Sequence, residues 1–181
     1  MWERDTARTL CFEVLLSILV WSGNSALAEG ADSPDEPKIS VLGRLDPDLI
    51  RAVTAAVRQA ARKLEAPACQ KVFSAFQDSN GRTLRANLEA KGQSEVLYLK
   101  WLIFVNGAED RFCLDSQIVA GTNPGDRLVR VCGSRFKSIA RTDSGYAAAL
   151  VIHEELHSLG LPENPPSSDA ITRKVVELCG R

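Results

Sequence analysis

A chain of 181 residues amounts to a single domain with appendages, and 45% apolar residues suffice for a sizeable core. With 22 basic and 23 acidic residues the net charge is −1, so there is no basic surplus for nucleic acid and no strong field to steer a charged partner. Residues 1–28 hold Arg4 and Arg8 against Glu3, Asp5 and Glu13; without them 20 basic and 20 acidic residues remain.

The chain opens on an apolar run over 10–21, followed by Gly23 and by Ala26-Leu27-Ala28. A short apolar run ahead of an A-x-A pattern reads as a secretory signal peptide over 1–28, cut near Ala28. Glu13 interrupts the run, and a start further downstream would give a shorter signal with the same outcome. The run is shorter than the roughly 20 residues a membrane span needs, so export to periplasm or medium is expected, without stable membrane insertion. Cys11 would leave with the signal. Cys69, Cys113, Cys132 and Cys179 remain, none in a C-x-x-C pair. Their wide spacing suits two disulfides in an oxidising compartment better than metal ligation, and three pairings are open.

Residues 29–43 mix charge, Pro, Ser and Gly without periodicity and are expected as a flexible leader, with the folded domain over 44–181. Asp46-Pro47 reads as a helix start, cap then first helical position. Leu49, Ile50, Val53, Val57, Ala60, Ala61 and Leu64 follow at helical spacing, while Arg51, Arg58, Arg62 and Lys63 fall on a solvated face. Pro67 breaks that helix. Residues 69–76 predict a second, short one that buries Val72, Phe73 and Phe76. After a turn at Asp78-Ser79-Asn80-Gly81, residues 83–90 predict a third, ended by Gly92, with Leu84 and Leu88 in the core.

From Glu95 the pattern changes. Residues 95–107 (EVLYLKWLIFVNG) are rich in β-branched and aromatic side chains and apolar on both faces, which predicts a central strand closed by the Asn106-Gly107 turn. Residues 111–115 and 117–121 predict short strands. Residues 122–126 (TNPGD) predict a turn, and 127–132 (RLVRVC) alternate as a half-buried strand does. If that turn closes a hairpin, Cys113 and Cys132 lie near its open end and could be bridged. Residues 138–144 are expected to connect to the next helix, which starts near Asp143 or Ser144.

That next helix carries both histidines of the chain, in H-E-x-x-H spacing: His153, Glu154, His157. Four residues is close to one helical turn, so both imidazoles point the same way. The pair can hold one zinc ion, with Glu154 beside it to take a proton from water. Two polar residues on a solvated helix face would be the bland alternative. The apolar approach, Ala147 to Ile152, argues against it, because a polar cluster buried there without a purpose is costly. Gly160 suits a left-handed helix end, and Pro162 stops the helix resuming. Pro165 and Pro166 exclude helix, Ser167-Ser168-Asp169 offers a cap, and 170–178 predict a last helix. Glu155 sits about 100° round the helix from Glu154, away from the pair.

A catalytic zinc takes three protein ligands and an exchangeable water. Glu163 lies six residues beyond His157, past the Gly160 turn. This H-E-E-L-H-S-L-G-L-P-E stretch resembles the extended zinc motif of metzincin peptidases, in which a His or Asp stands at the place of Glu163. The resemblance implies Glu163 as third ligand, with Asp169 or Glu177 as alternatives. Metzincins also carry a Met-turn, whereas this chain has no methionine after Met1. Val129, Val131, Cys132, Phe136, Asp143 and the motif helix also resemble the deuterolysin group of secreted metallopeptidases, where a downstream Asp is the third ligand. The tail GLPENPPSSDAIT is similar to that of small exported bacterial proteins with the same zinc motif.

These resemblances span roughly residues 127–179 and imply a zincin-like α+β fold, with helices around a small, mostly antiparallel or mixed sheet and the motif helix in the core. They imply a secreted zinc metallopeptidase: a hydrolase on peptide bonds, one Zn²⁺ per chain, Glu154 as general base, a peptide or protein as substrate, and a monomer. Tyr146 or Tyr98 would steady the oxyanion, and either 118–121 or 127–131 would align an extended substrate. Two alternatives stand beside this reading. One is a non-catalytic secreted zinc-binding or interaction module with a structural metal. The other is a latent enzyme whose cleft is covered by 29–43 or by the tail at Cys179.

Overall fold

The computed structural model describes residues 40–42 and 46–181; the expected signal peptide and most of the expected leader lie outside the described residues. Ser40–Leu42, at the end of the stretch expected as leader, forms strand β1. The architecture is α+β: eight helices and a four-stranded sheet of order β1-β2-β4-β3 among the described residues. The sheet is mixed. β2 (Ile103–Asn106) is parallel to both β1 and β4 (Leu128–Val131), and only β3 (Ala120–Gly121) against β4 is antiparallel. Of the two expected forms, mostly antiparallel or mixed, the sheet takes the mixed one, because two strands distant in sequence flank β2 in the same direction.

Helix α1 (Pro47–Leu64) begins as its sequence dictates, Asp46 Oδ1 accepting from the Leu49 N–H at 2.8 Å, and buries Leu49, Val53, Val57, Ala60 and Leu64. It packs on α6 (Gly133–Thr142) and α7 (Ser144–Ser158). The expected second helix divides into α2 (Pro67–Gln70) and α3 (Val72–Ala75), and Thr83 caps α4 (Leu84–Ala90).

Two expectations are overturned before the motif helix. Glu95–Leu99 is helix α5, not the start of a strand: Ser94 caps it, its hydroxyl accepting from the Leu97 N–H, and Tyr98 and Leu99 are buried while Leu97 is exposed. Capping chemistry overrides the β-forming composition there, and the strand shrinks to Ile103–Asn106, central as expected. Arg111–Leu114 is a 3₁₀ turn rather than a strand, and the 117–121 strand contracts to Ala120–Gly121. The hairpin between β3 and β4 does form, with Gly125 at φ +84° in its turn. Cys113 and Cys132 are bridged beside it, Cα–Cα 5.4 Å.

The expected connector at 138–144 is mostly helix α6, which buries Phe136 and rests Ile139 and Ala140 on the core at helical spacing. Helix α7 starts where expected, Asp143 Oδ1 accepting from the Tyr146 N–H at 2.8 Å. It is the most enclosed element: Ala147, Ala148 and Ala149 let neighbours approach, and every residue from Val151 to Ser158 is buried. Its end turns at Gly160, φ +108°, whose N–H donates to the His157 carbonyl. Ser167 caps α8 (Ser168–Cys179), which lies against α7 and is tied to α2 by the disulfide Cys69–Cys179, Cα–Cα 4.3 Å. Both disulfides are thus formed, and they use all four cysteines of the domain. No helix among the described residues is long and apolar enough to cross a membrane.

Candidate metal centre

The spacing of His153 and His157 on an unbroken α7 brings their rings together, centroids 4.7 Å and Nε2 atoms 2.9 Å apart. The outer nitrogens are engaged elsewhere: His153 Nδ1 lies 2.8 Å from Thr172 Oγ1, and His157 Nδ1 donates to the Leu161 carbonyl at 2.8 Å. The inner nitrogens are therefore turned to a common point. Glu163, carried there by the Gly160 turn, brings a carboxylate oxygen so that one ligand atom from each of the three residues lies within 4.8 Å of the others. His153, His157 and Glu163 could hold a metal ion.

The donor set fits such an ion on three counts. A tetrahedral zinc at ~2.0–2.1 Å from each nitrogen needs them roughly 3.3 Å apart, close to the observed 2.9 Å. Each histidine has a partner fixing its ring from behind, as ligating histidines require. Burial, with a smaller push from His157, lowers the His153 pKa to about 3, so the ring is neutral and needs no proton removed from it to act as a ligand.

Glu154 is 5% exposed, and its Oε2 is buried without a hydrogen-bond partner. Burial raises its pKa to about 8; the Thr122 hydroxyl acts in the opposite sense and the Glu163 charge in the same sense. A divalent charge at the three-residue focus favours the carboxylate, opposing that rise. The site thus gathers the neutral His153 ring, a second imidazole, the Glu163 carboxyl group and the unpartnered Glu154 carboxyl at one focus, a set of donors that suits a cation.

A cleft of about 870 Å³ opens onto His153, Glu154 and His157. Its lining includes Phe112, Ile118, the edge strand β3 and Thr122, together with Glu163, Asp169 and Thr172. Tyr146 and Leu150 continue the histidine face of α7 along the cleft. Tyr146 is two turns before His153, about 10 Å along the axis, and helical side chains lean toward the N-terminus. The Arg181 guanidinium stacks over its ring, 5.5 Å from the centroid. Tyr98 lies outside the cleft lining, and its hydroxyl donates to the Ser158 carbonyl at 3.0 Å.

Among the three candidates for a third ligand, Glu163 joins the histidines. Asp169 lines the cleft outside that cluster, and Glu177 pairs with Lys174 at 2.9 Å on the exposed side of α8. Glu155 turns away from the histidines, as its position on the helix requires, yet it is fully buried, with both oxygens lacking hydrogen-bond partners. Burial and the neighbouring Glu95 hold its carboxyl well above the usual carboxylate range.

Thr172, the Leu161 carbonyl and Thr122 are absent from the sequence reading. Thr172 stands 19 residues from His153 with no periodic relation to it, so only the packing of α8 on α7 reveals the contact. No protein-family model matches the chain, and neither a curated protein nor a solved structure matches it.

Proposed function

We propose that this chain is an exported zinc-dependent peptidase with a zincin-like core. The observation that carries the reading is the convergence of His153 Nε2, His157 Nε2 and a Glu163 oxygen beside the unpartnered Glu154 carboxyl, at the floor of an open cleft. Two imidazoles and one carboxylate are a donor set that suits zinc with a fourth position left for water. The two disulfides are consistent with an oxidising compartment and hence with export.

A zinc ion held there would acidify a bound water and polarise a carbonyl. The protein supplies the rest. Glu154 takes the proton from the attacking water and returns it to the leaving amine, and its unpartnered Oε2 is the atom available for that proton. Strand β3 is the sheet edge along the cleft, so its free backbone groups can pair with an extended polypeptide. The His153 and His157 rings are held by Thr172 and Leu161, so the ligands need no reorganisation during turnover.

The test is hydrolysis of casein, gelatin or a peptide library by the metal-loaded chain against Glu154→Gln. The wild type is expected to cleave, while the variant keeps its zinc and loses cleavage. Zinc bound without any hydrolysis by the wild type would leave a structural ion instead.

A further inference from the structure

The groups behind the two histidines differ in kind. Leu161 offers His157 a carbonyl, which only accepts, so Nδ1 carries a proton, and in the neutral tautomer Nε2 presents a lone pair. Thr172 offers His153 a hydroxyl, which both donates and accepts. A neutral His153 can therefore carry its proton on either nitrogen and keep Nδ1 satisfied in both cases. With the proton on Nε2, it donates to His157 across 2.9 Å while Thr172 donates to Nδ1. With the proton on Nδ1, donated to Thr172 Oγ1, the Nε2 lone pair joins those of His157 and Glu163. A carboxylate or carbonyl in place of Thr172 would permit only the second arrangement.

We propose that Thr172 is a two-way positioning residue: it holds the His153 ring in one orientation while the ring proton moves between Nε2 and Nδ1 as a divalent cation arrives or leaves. The proposal rests on the metal reading above. The exchange balances: as the cation binds, Nε2 gives a proton to solvent, Nδ1 takes one from solvent, and the Thr172 O–H turns from donor to acceptor. The ring stays neutral throughout, with no net proton released from it. Orientation is kept by packing, since Thr172 and His153 are both buried and α8 is anchored to α2 by Cys69–Cys179.

Two histidines in the whole chain make ring-nitrogen NMR of the ¹⁵N-labelled protein simple to read. In chelator the wild type is expected to show one ring protonated at Nε2 and the other at Nδ1; on adding zinc, both become protonated at Nδ1. Thr172→Val removes the hydroxyl at nearly constant volume. It should shift the bare Nδ1 resonance of His153 and weaken zinc binding by ~10- to 100-fold, and Thr172→Ser should restore both.

Unchanged resonances and affinity in Thr172→Val, or two Nδ1-protonated rings in chelator, overturn the proposal. A wild type that takes up no zinc overturns the cation step together with the metal reading. A resonance that still shifts in Thr172→Val would then support only the hold of Thr172 on the ring.

Discussion

The two sides of α7 bury polar groups equally deeply and put them to different use. Toward the cleft stand His153, Glu154 and His157; toward the opposite side stands Glu155, near Glu95, which is paired with Arg85. Both glutamates are pushed toward the neutral form first by burial and then by a neighbouring carboxylate. They differ in what surrounds them. Glu154 lines a cleft beside three ligand atoms that face one another, whereas Glu155 does not line it. A buried carboxyl with a displaced pKa is therefore not enough to mark a catalytic group; convergence of donors and a route for substrate make the difference.

The largest expected effect separates the two neighbours directly. Glu154→Gln should lower turnover by ~10²–10⁴, the range of general acid–base catalysis, with metal content unchanged. Glu155→Gln should leave turnover close to wild type. Equal losses in parallel assays would erase the distinction between the two faces.

Loosening α8, which carries Asp169 and Thr172 of the cleft lining, comes next. Cys69 and Cys179 are 110 residues apart, so replacing both by Ala should cost roughly 4–5 kcal/mol of stability by loop-closure entropy, read by denaturant titration. The 19-residue separation of Cys113 and Cys132 should cost less, about 3 kcal/mol. The reverse order would mean that α8 is held mainly by packing.

A smaller effect has a sign set by pH. The folded state keeps a proton on Glu155 where the unfolded chain, with a carboxyl near 4.5, has lost it. Stability contributed at low pH is therefore lost as pH rises above 4.5. Glu155→Gln removes that slope: the variant should match wild type at pH 4 and exceed it by a margin that grows as pH rises toward 8, measured by thermal unfolding in chelator. An advantage that shrinks with rising pH would show that Glu155 is ionised in the fold. Smallest is the start of α7. Asp143→Ala removes the cap on Tyr146 and should cost ~1 kcal/mol without altering zinc affinity, as chelator competition would report.

Much of this was legible from local chemistry. Asp46, Asp143 and Ser167 accept from the helix starts that they cap, and the four-residue spacing of His153 and His157 carried over into facing rings. Glu163 was reachable because Gly160 turns the chain back over a short distance. Residues 95–99 were misread because β-forming side chains can sit in a capped single-turn helix, where composition says less than Ser94 does. Helix α6 was overlooked although Phe136, Ile139 and Ala140 have helical spacing, since the arginines and lysine around them hide so short a stripe. The Thr172 contact and the pairing of Cys69 with Cys179 join distant segments, and no local pattern encodes them.

The central claim is that three side chains share a single cation, and a zinc titration of the metal-free chain against a chromophoric chelator tests it most directly. The account predicts saturation at about one zinc per chain, with tight uptake abolished in His157→Ala and weakened in Glu163→Gln. A chain that takes up no zinc, or binds it equally well without His157, would contradict it.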